Sequence, residues 1–182
     1  MMPFAAAALA IFVLLLLVEE PVFESEMVVE VDWSRGPFGK ATSFSHQDAA
    51  MEAQRNLILS RELCLQVAEA IGSDQIFASA NGPHGRELAA ERLRANLKVT
   101  WAAAPSRFMT ISYSNRDRRL VEPVLRKVLD SYLNKNSELS NRPGDTTGPG
   151  LTVVGLPTAP VLRMTRAQQI MTWLEKIKKK PN

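Results

Sequence analysis

Two neighbouring stretches decide the fold class: Leu97-Lys98-Val99-Thr100-Trp101-Ala102 and Phe108-Met109-Thr110-Ile111-Ser112-Tyr113-Ser114. In the second, Met109, Ile111 and Tyr113 alternate with Phe108, Thr110, Ser112 and Ser114. A period of two sends the two sets to opposite faces of an extended chain, so a half-buried strand is predicted. The first stretch is rich in β-branched and aromatic residues and predicts a strand too, joined to the second through Pro105-Ser106. Upstream, residues 87–96 have the pattern of a short amphipathic helix, preceded by the loop signal Asn81-Gly82-Pro83-His84-Gly85. Residues 47–71 predict one long helix, with Leu57, Ile58, Cys64, Leu65, Ala68 and Ile71 on a 3.6-period face and Gly72 as its stop. Residues 26–33 contain Val28, Val29 and Val31 and predict a further strand, ended by Arg35-Gly36-Pro37-Phe38-Gly39.

Downstream, residues 118–139 predict a long helix with Leu125, Val128, Leu129, Tyr132 and Leu133 inward. Pro123 would cost about 3 kcal/mol in a helix interior. An irregular first turn, or a helix that starts at Glu122 with Pro123 at its first position, is therefore expected. A Pro/Gly/Thr loop over 141–150 leads to a last strand at 151–156 and a terminal helix at 165–180. The order β-α-α-β-β-α-β predicts an α+β domain: a small mixed sheet packed with helices and no long coiled-coil extension.

The 182 residues suffice for one domain with a real core. The apolar fraction of 46% is unevenly spread, since every one of the first 18 residues except Pro3 is apolar. As a helix that segment spans about 27 Å, close to the ~30 Å hydrocarbon core of a bilayer. It has no basic residue before it and no small-residue cleavage site in Val18-Glu19-Glu20-Pro21, so an uncleaved anchor is favoured over a signal peptide. The expected organisation is a transmembrane helix at 1–18, an extracytoplasmic domain at 19–162 and a basic amphipathic helix at 163–182.

The net charge of +3 hides a polarity. Residues 19–62 carry nine acids against four bases, whereas residues 163–182 carry six bases against Glu175 alone. The basic balance therefore belongs to a tail and does not describe a nucleic-acid-binding surface. In the terminal helix, Ile170, Met171, Trp173, Leu174 and Ile177 form one apolar stripe, with Lys176, Lys178, Lys179 and Lys180 clustered at its end. Two readings stay open: a helix docked on its own domain, with its cations at the negative end of the helix dipole, or a helix lying on an anionic membrane surface with Trp173 at the interface.

Chemical motifs are weak. Gly36-Pro37-Phe38-Gly39-Lys40-Ala41-Thr42 imitates a phosphate loop, but Ser34 stands where glycine is required and Ala41 where a Mg²⁺-binding hydroxyl is required. Ser45-His46-Gln47-Asp48 holds triad residue types adjacent in sequence rather than converging in space. His46, His84 and Cys64 have no metal-ligand spacing, and Cys64, the one cysteine, reads as a small core hydrophobe. No catalytic residue, metal or cofactor is expected.

Four blocks in order, and a fifth pattern carried by Asp117 and Tyr132, resemble the chain-length determinant (Wzz-type) family of bacterial polysaccharide co-polymerases. Pro21-Val22-Phe23-Glu24-Ser25-Glu26-Met27-Val28-Val29, directly after the apolar segment, resembles the family's "P-x-Y-x-A-x-x-x-hydrophobic" entry strand through Pro21 and Phe23. The stretch from Leu57 to Gly72 resembles its "I-L-x-S-R-x-V-L-x-x-V-x-x-x-L-G" through Leu59, Ser60, Arg61, Val67 and Gly72. Leu93-Arg94-Ala95-Asn96-Leu97-Lys98-Val99 is similar to "L-x-x-N-L-x-V" through Asn96, Leu97 and Val99. Ser106 to Tyr113 is similar to "S-x-x-I-x-I-S-Y" through Ile111, Ser112 and Tyr113, and Asp117 and Tyr132 match "D-P-x-x-A…A-x-x-Y-L". Each block alone is a common strand or helix pattern; their shared order is the specific signal.

The resemblance implies a non-enzymatic scaffold in the bacterial inner membrane, with a homo-oligomer formed through helices 47–71 and 118–139 and a polysaccharide polymerase or export machinery as partner. The chain departs from the family at Arg142-Pro143-Gly144, where an extended coiled segment would continue, and no second apolar span follows Pro157 and Pro160. The competing class is a membrane-tethered envelope adaptor with a protein partner.

Overall fold

A computed structural model describes residues 21–32, 44–77, 82, 84–102, 106–140 and 150–163. Its elements are β1 (Phe23–Asp32), α1 (Phe44–Ile58), α2 (Arg61–Ile71), α3 (Ser73–Ile76), α4 (Gly85–Asn96), β2 (Leu97–Trp101), β3 (Phe108–Asn115), α5 (Arg118–Ser140), β4 (Gly150–Gly155) and β5 (Val161–Leu162). The α+β class is as expected. Among the described residues no helix is long and apolar enough to cross a membrane. The expected span at 1–18, the phosphate-loop imitation at 36–42 and the terminal helix with Trp173, Lys176, Lys178, Lys179 and Lys180 all lie outside the described residues.

The sheet order is β2-β3-β1-β4, with β5 also on β1, and every pair is antiparallel. This corrects the mixed sheet expected from the strand and helix order. A helix between strands suggests a parallel β-α-β unit, and α5 does join two strands that run the same way, β3 and β4. They lie on opposite sides of β1, however, so β1 splits the unit and every direct neighbour is antiparallel.

One face of the sheet carries the core. Met27, Val29 and Val31 of β1, Met109, Ile111 and Tyr113 of β3, and Leu97 and Val99 of β2 are all buried on it. Helix α5 packs on β1 and β3, α4 on β2 and β3, and α2 against both helices. Leu125, Val128, Leu129 and Tyr132 of α5 and Leu63, Cys64, Val67 and Ala68 of α2 complete this layer. The opposite face presents Glu26 and Lys98 to solvent, the usual one-sided burial of an antiparallel sheet.

The helix expected over 47–71 is two helices. Ser60 takes an extended conformation (φ −65°, ψ 145°) and its hydroxyl accepts the Leu63 N–H at 3.3 Å, so it caps α2 and ends the helical run. Ile58 before the break and Leu63 and Cys64 after it reach the same core. The apolar period therefore survives an interruption that it cannot reveal. Gly72 ends α2 as expected: its N–H donates to the Ala68 carbonyl at 3.1 Å and its φ is +102°, open to glycine without strain.

Pro123 lies inside α5 rather than at its first position. The start is set upstream, where Asp117 Oδ1 accepts the Arg119 N–H at 2.8 Å and Asn115 Oδ1 accepts the Asp117 N–H at 3.0 Å. Pro123 is on the exposed side of the helix, where solvent can serve a carbonyl that lacks its usual donor.

Candidate functional site

The residues singled out by the family pattern serve mainly packing and turn geometry. Leu97 faces Tyr113 across β2 and β3, and Tyr113 faces Ser25; Val99 faces Ile111, which faces Met27. The entry block thus becomes a strand registered with two blocks far downstream that neighbour each other in sequence. Ser112 sits on the outer face but is largely shielded, and Asn96 ends α4 just before β2. In the second block Leu59 and Ser60 form the break between helices, Arg61 lies 3.8 Å from Glu87, and Val67 is fully buried. The Tyr132 hydroxyl donates to Gln54 Oε1 at 2.8 Å, tying α5 to α1 within the core. Burial pushes the phenol of Tyr132 well above its ordinary range. It also raises Tyr113, against the opposing pull of the Asn115 amide hydrogen bond and nearby Arg92.

Cys64 is sealed. The cleft above it, lined by Arg61, Glu87, Glu91 and Arg94 among others, holds about 10 Å³, roughly the minimum for a single water. Burial pushes the thiol up to about 11, only partly offset by Arg94, so it stays protonated and unreactive at neutral pH. His84 is exposed and lies 3.8 Å from Glu87. Among the described residues no group of three or more His, Cys, Asp and Glu is placed to hold a metal ion.

The larger concavity was not anticipated. A groove of about 620 Å³ runs between the first turns of α5, Ile71 at the end of α2 and Pro160 before β5. Arg118, Arg119, Arg126 and Lys127 line it, with Glu122, Asp130 and Pro123. Glu122 is already occupied, accepting from Arg126 at 2.8 and 3.1 Å. The balance favours an anion, and among the described residues the lining supplies no imidazole, hydroxyl or thiol. The signal was available in the run Arg116-Asp117-Arg118-Arg119, followed two turns later by Arg126-Lys127.

Register locates this groove. Phe23 faces both Asn115 and Leu162, so the start of β1, the entry to α5 and β5 share one end of the sheet. Backbone bonds bind the returning chain there: Arg163 N–H donates to the Val22 carbonyl at 2.7 Å and Thr158 N–H to the Glu26 carbonyl at 2.9 Å. Ser25 Oγ donates to the Thr158 carbonyl at 2.6 Å, and Arg163 lies 3.7 Å from Glu24. Pro21, the first described residue, is exposed at this same end. The chain matches no protein-family model and no curated protein.

Proposed function

We propose that this protein is a membrane-anchored, non-enzymatic polysaccharide co-polymerase of the chain-length determinant type, acting in surface polysaccharide biosynthesis, chain-length control or export. The observation that carries this reading is the arrangement of the resembling blocks. The entry strand at Phe23 is an interior strand: on one side it is registered with β3, which contains the fourth block, and β3 is in turn registered with β2, which carries the third, while the second block forms α2 packed on α4 and α5. A strand that leaves a membrane anchor and is paired on both sides ties the whole domain to the bilayer. Such a scaffold works by assembly and restraint, which suits motif residues devoted to packing.

Homo-oligomerisation in the bacterial inner membrane, through the exposed faces of α1, α2 and α5, belongs to the same proposal. Deleting the gene and resolving the surface polysaccharide on a gel tests the function, with an altered length distribution or amount expected. An unchanged pattern would sink the reading. Sedimentation in detergent tests assembly: a strict monomer at every concentration counts against it.

One observation favours the adaptor reading as an alternative. Val154, Leu156, Val161 and Leu162 leave exposed apolar surface along the β4–β5 return, the kind of patch a protein partner covers. Unchanged polysaccharide together with a stable envelope protein complex would select it.

A further inference from the structure

We propose that the end of the domain where β1 begins rests on an anionic bilayer surface, with Arg118, Arg119 and Lys127 facing acidic lipid headgroups and Val161 and Leu162 against the interface. The proposal rests on the reading of residues 1–18 as a membrane anchor, and it assigns a lipid-facing surface to the folded domain itself.

Three observations converge on one place. The apolar segment of 18 residues ends just ahead of Pro21 and the start of β1, so an inserted anchor delivers this end of the sheet to the headgroups. The cationic groove opens at the same end, because α5 leaves β3 immediately after Asn115, the partner of Phe23. Arg118, Arg119 and Lys127 make no ion pair among the described residues, so no described carboxylate neutralises them. Finally, β5 pairs with Phe23 and Glu24 and leaves Val161 64% and Leu162 48% exposed. Cations beside exposed aliphatic side chains form an amphipathic surface, which suits an acidic headgroup layer over an apolar interior.

The test uses the full chain. Cys64 is buried and its thiol suppressed, so a single introduced cysteine, Asp130→Cys in the groove, can be labelled selectively with a fluorophore. The protein is reconstituted into vesicles carrying nitroxide on the headgroups, either zwitterionic or with about 30 mol% acidic phospholipid. Quenching is expected to be stronger on the acidic vesicles and to fall at about 0.5 M salt, where exposed charges are screened. Each cation near an acidic surface is worth about fivefold. Losing the three cations in Arg118→Glu/Arg119→Glu/Lys127→Glu should therefore lower the docked-to-free ratio by at least about a hundredfold, with the three new carboxylates lowering it further. Two of the three new acids fall in the first turn of α5, where the helix dipole favours them, and an unchanged unfolding midpoint verifies that the triple variant folds.

Equal quenching on both vesicle types, or quenching that the triple variant leaves intact, overturns the proposal. So does quenching that is lost only when Lys176, Lys178, Lys179 and Lys180 are changed to Gln. Flotation of the wild type with purely zwitterionic vesicles reports the anchor separately. Failure to float there refutes the anchor, while the acidic-vesicle quenching still decides the surface.

Discussion

Strand β1 is flanked on both sides, and the two flanks are built differently. Toward β3 it keeps an unbroken antiparallel register from Phe23↔Asn115 to Glu30↔Phe108, and the inward residues Met109, Ile111 and Tyr113 are fully buried. Toward β4 and β5 it is paired in two pieces. The register shifts between Val28 and Val29, Thr158 bridges the gap, and Leu151 and Val153 are only partly buried. The contrast separates where the fold is held from where its surface is open. Deep burial and continuous pairing on the β3 flank place the stability there. The return flank, with its exposed backbone bonds and aliphatic surface, opens at lower cost.

The strongest way to break that contrast is Ile111→Ala, which empties a core position between Met27 and Val99. It should cost about 3–4 kcal/mol in a denaturant titration; a loss near that of an exposed position would place the core elsewhere. Next comes alkaline pH. With the Cys64 thiol held at about 11 in the fold against an ordinary 9, the unfolded chain releases its proton first. Stability should thus fall as pH rises from 9 toward 11, by roughly 2 kcal/mol. A Cys64→Ala variant should show a shallower decline over the same interval, and an equal slope would remove Cys64 as its cause.

Gly72→Ala is expected to cost less, about 1–2 kcal/mol, because φ of +102° is strained for a side chain and the new Cβ would sit 3.0 Å from Asp74 Oδ1. A thermal melt reads that loss, and no change would show that the α2–α3 junction relaxes freely. The smallest effect sharpens the comparison itself. Thr158→Val removes the acceptor of the Glu26 N–H and should cost under about 1 kcal/mol. Its hydrogen exchange should accelerate in β4 and β5 and leave β2 and β3 unchanged; uniform acceleration would mean that the flanks open together.

The strands on the β3 flank were legible because alternation records which face is buried. Met109, Ile111 and Tyr113 state it directly, and their helix α5 follows from Leu125, Val128, Leu129 and Tyr132. The break at Ser60 was hidden because both helices feed one core, although a serine followed by Glu62 in the next turn is a start signal. Strand β5 was invisible for another reason. Two residues after Pro157-Thr158-Ala159-Pro160 have no period, and they are strand only because Phe23 and Glu24 accept them as partners. The groove was legible only in part: the basic run at the start of α5 is local, but the walls from α2 and the return segment are brought to it by the fold alone.

Among the described strands, β1 is also the first one made. Its partner β3 begins at residue 108, β4 at residue 150 and β5 at residue 161. During synthesis β1 therefore waits without these partners until residues 108–115 have been translated. Such distant pairing slows folding and leaves strand edges open to association. If the proposed anchoring and self-assembly hold, the interval before β3 arrives is the period in which neighbouring copies exchange strands.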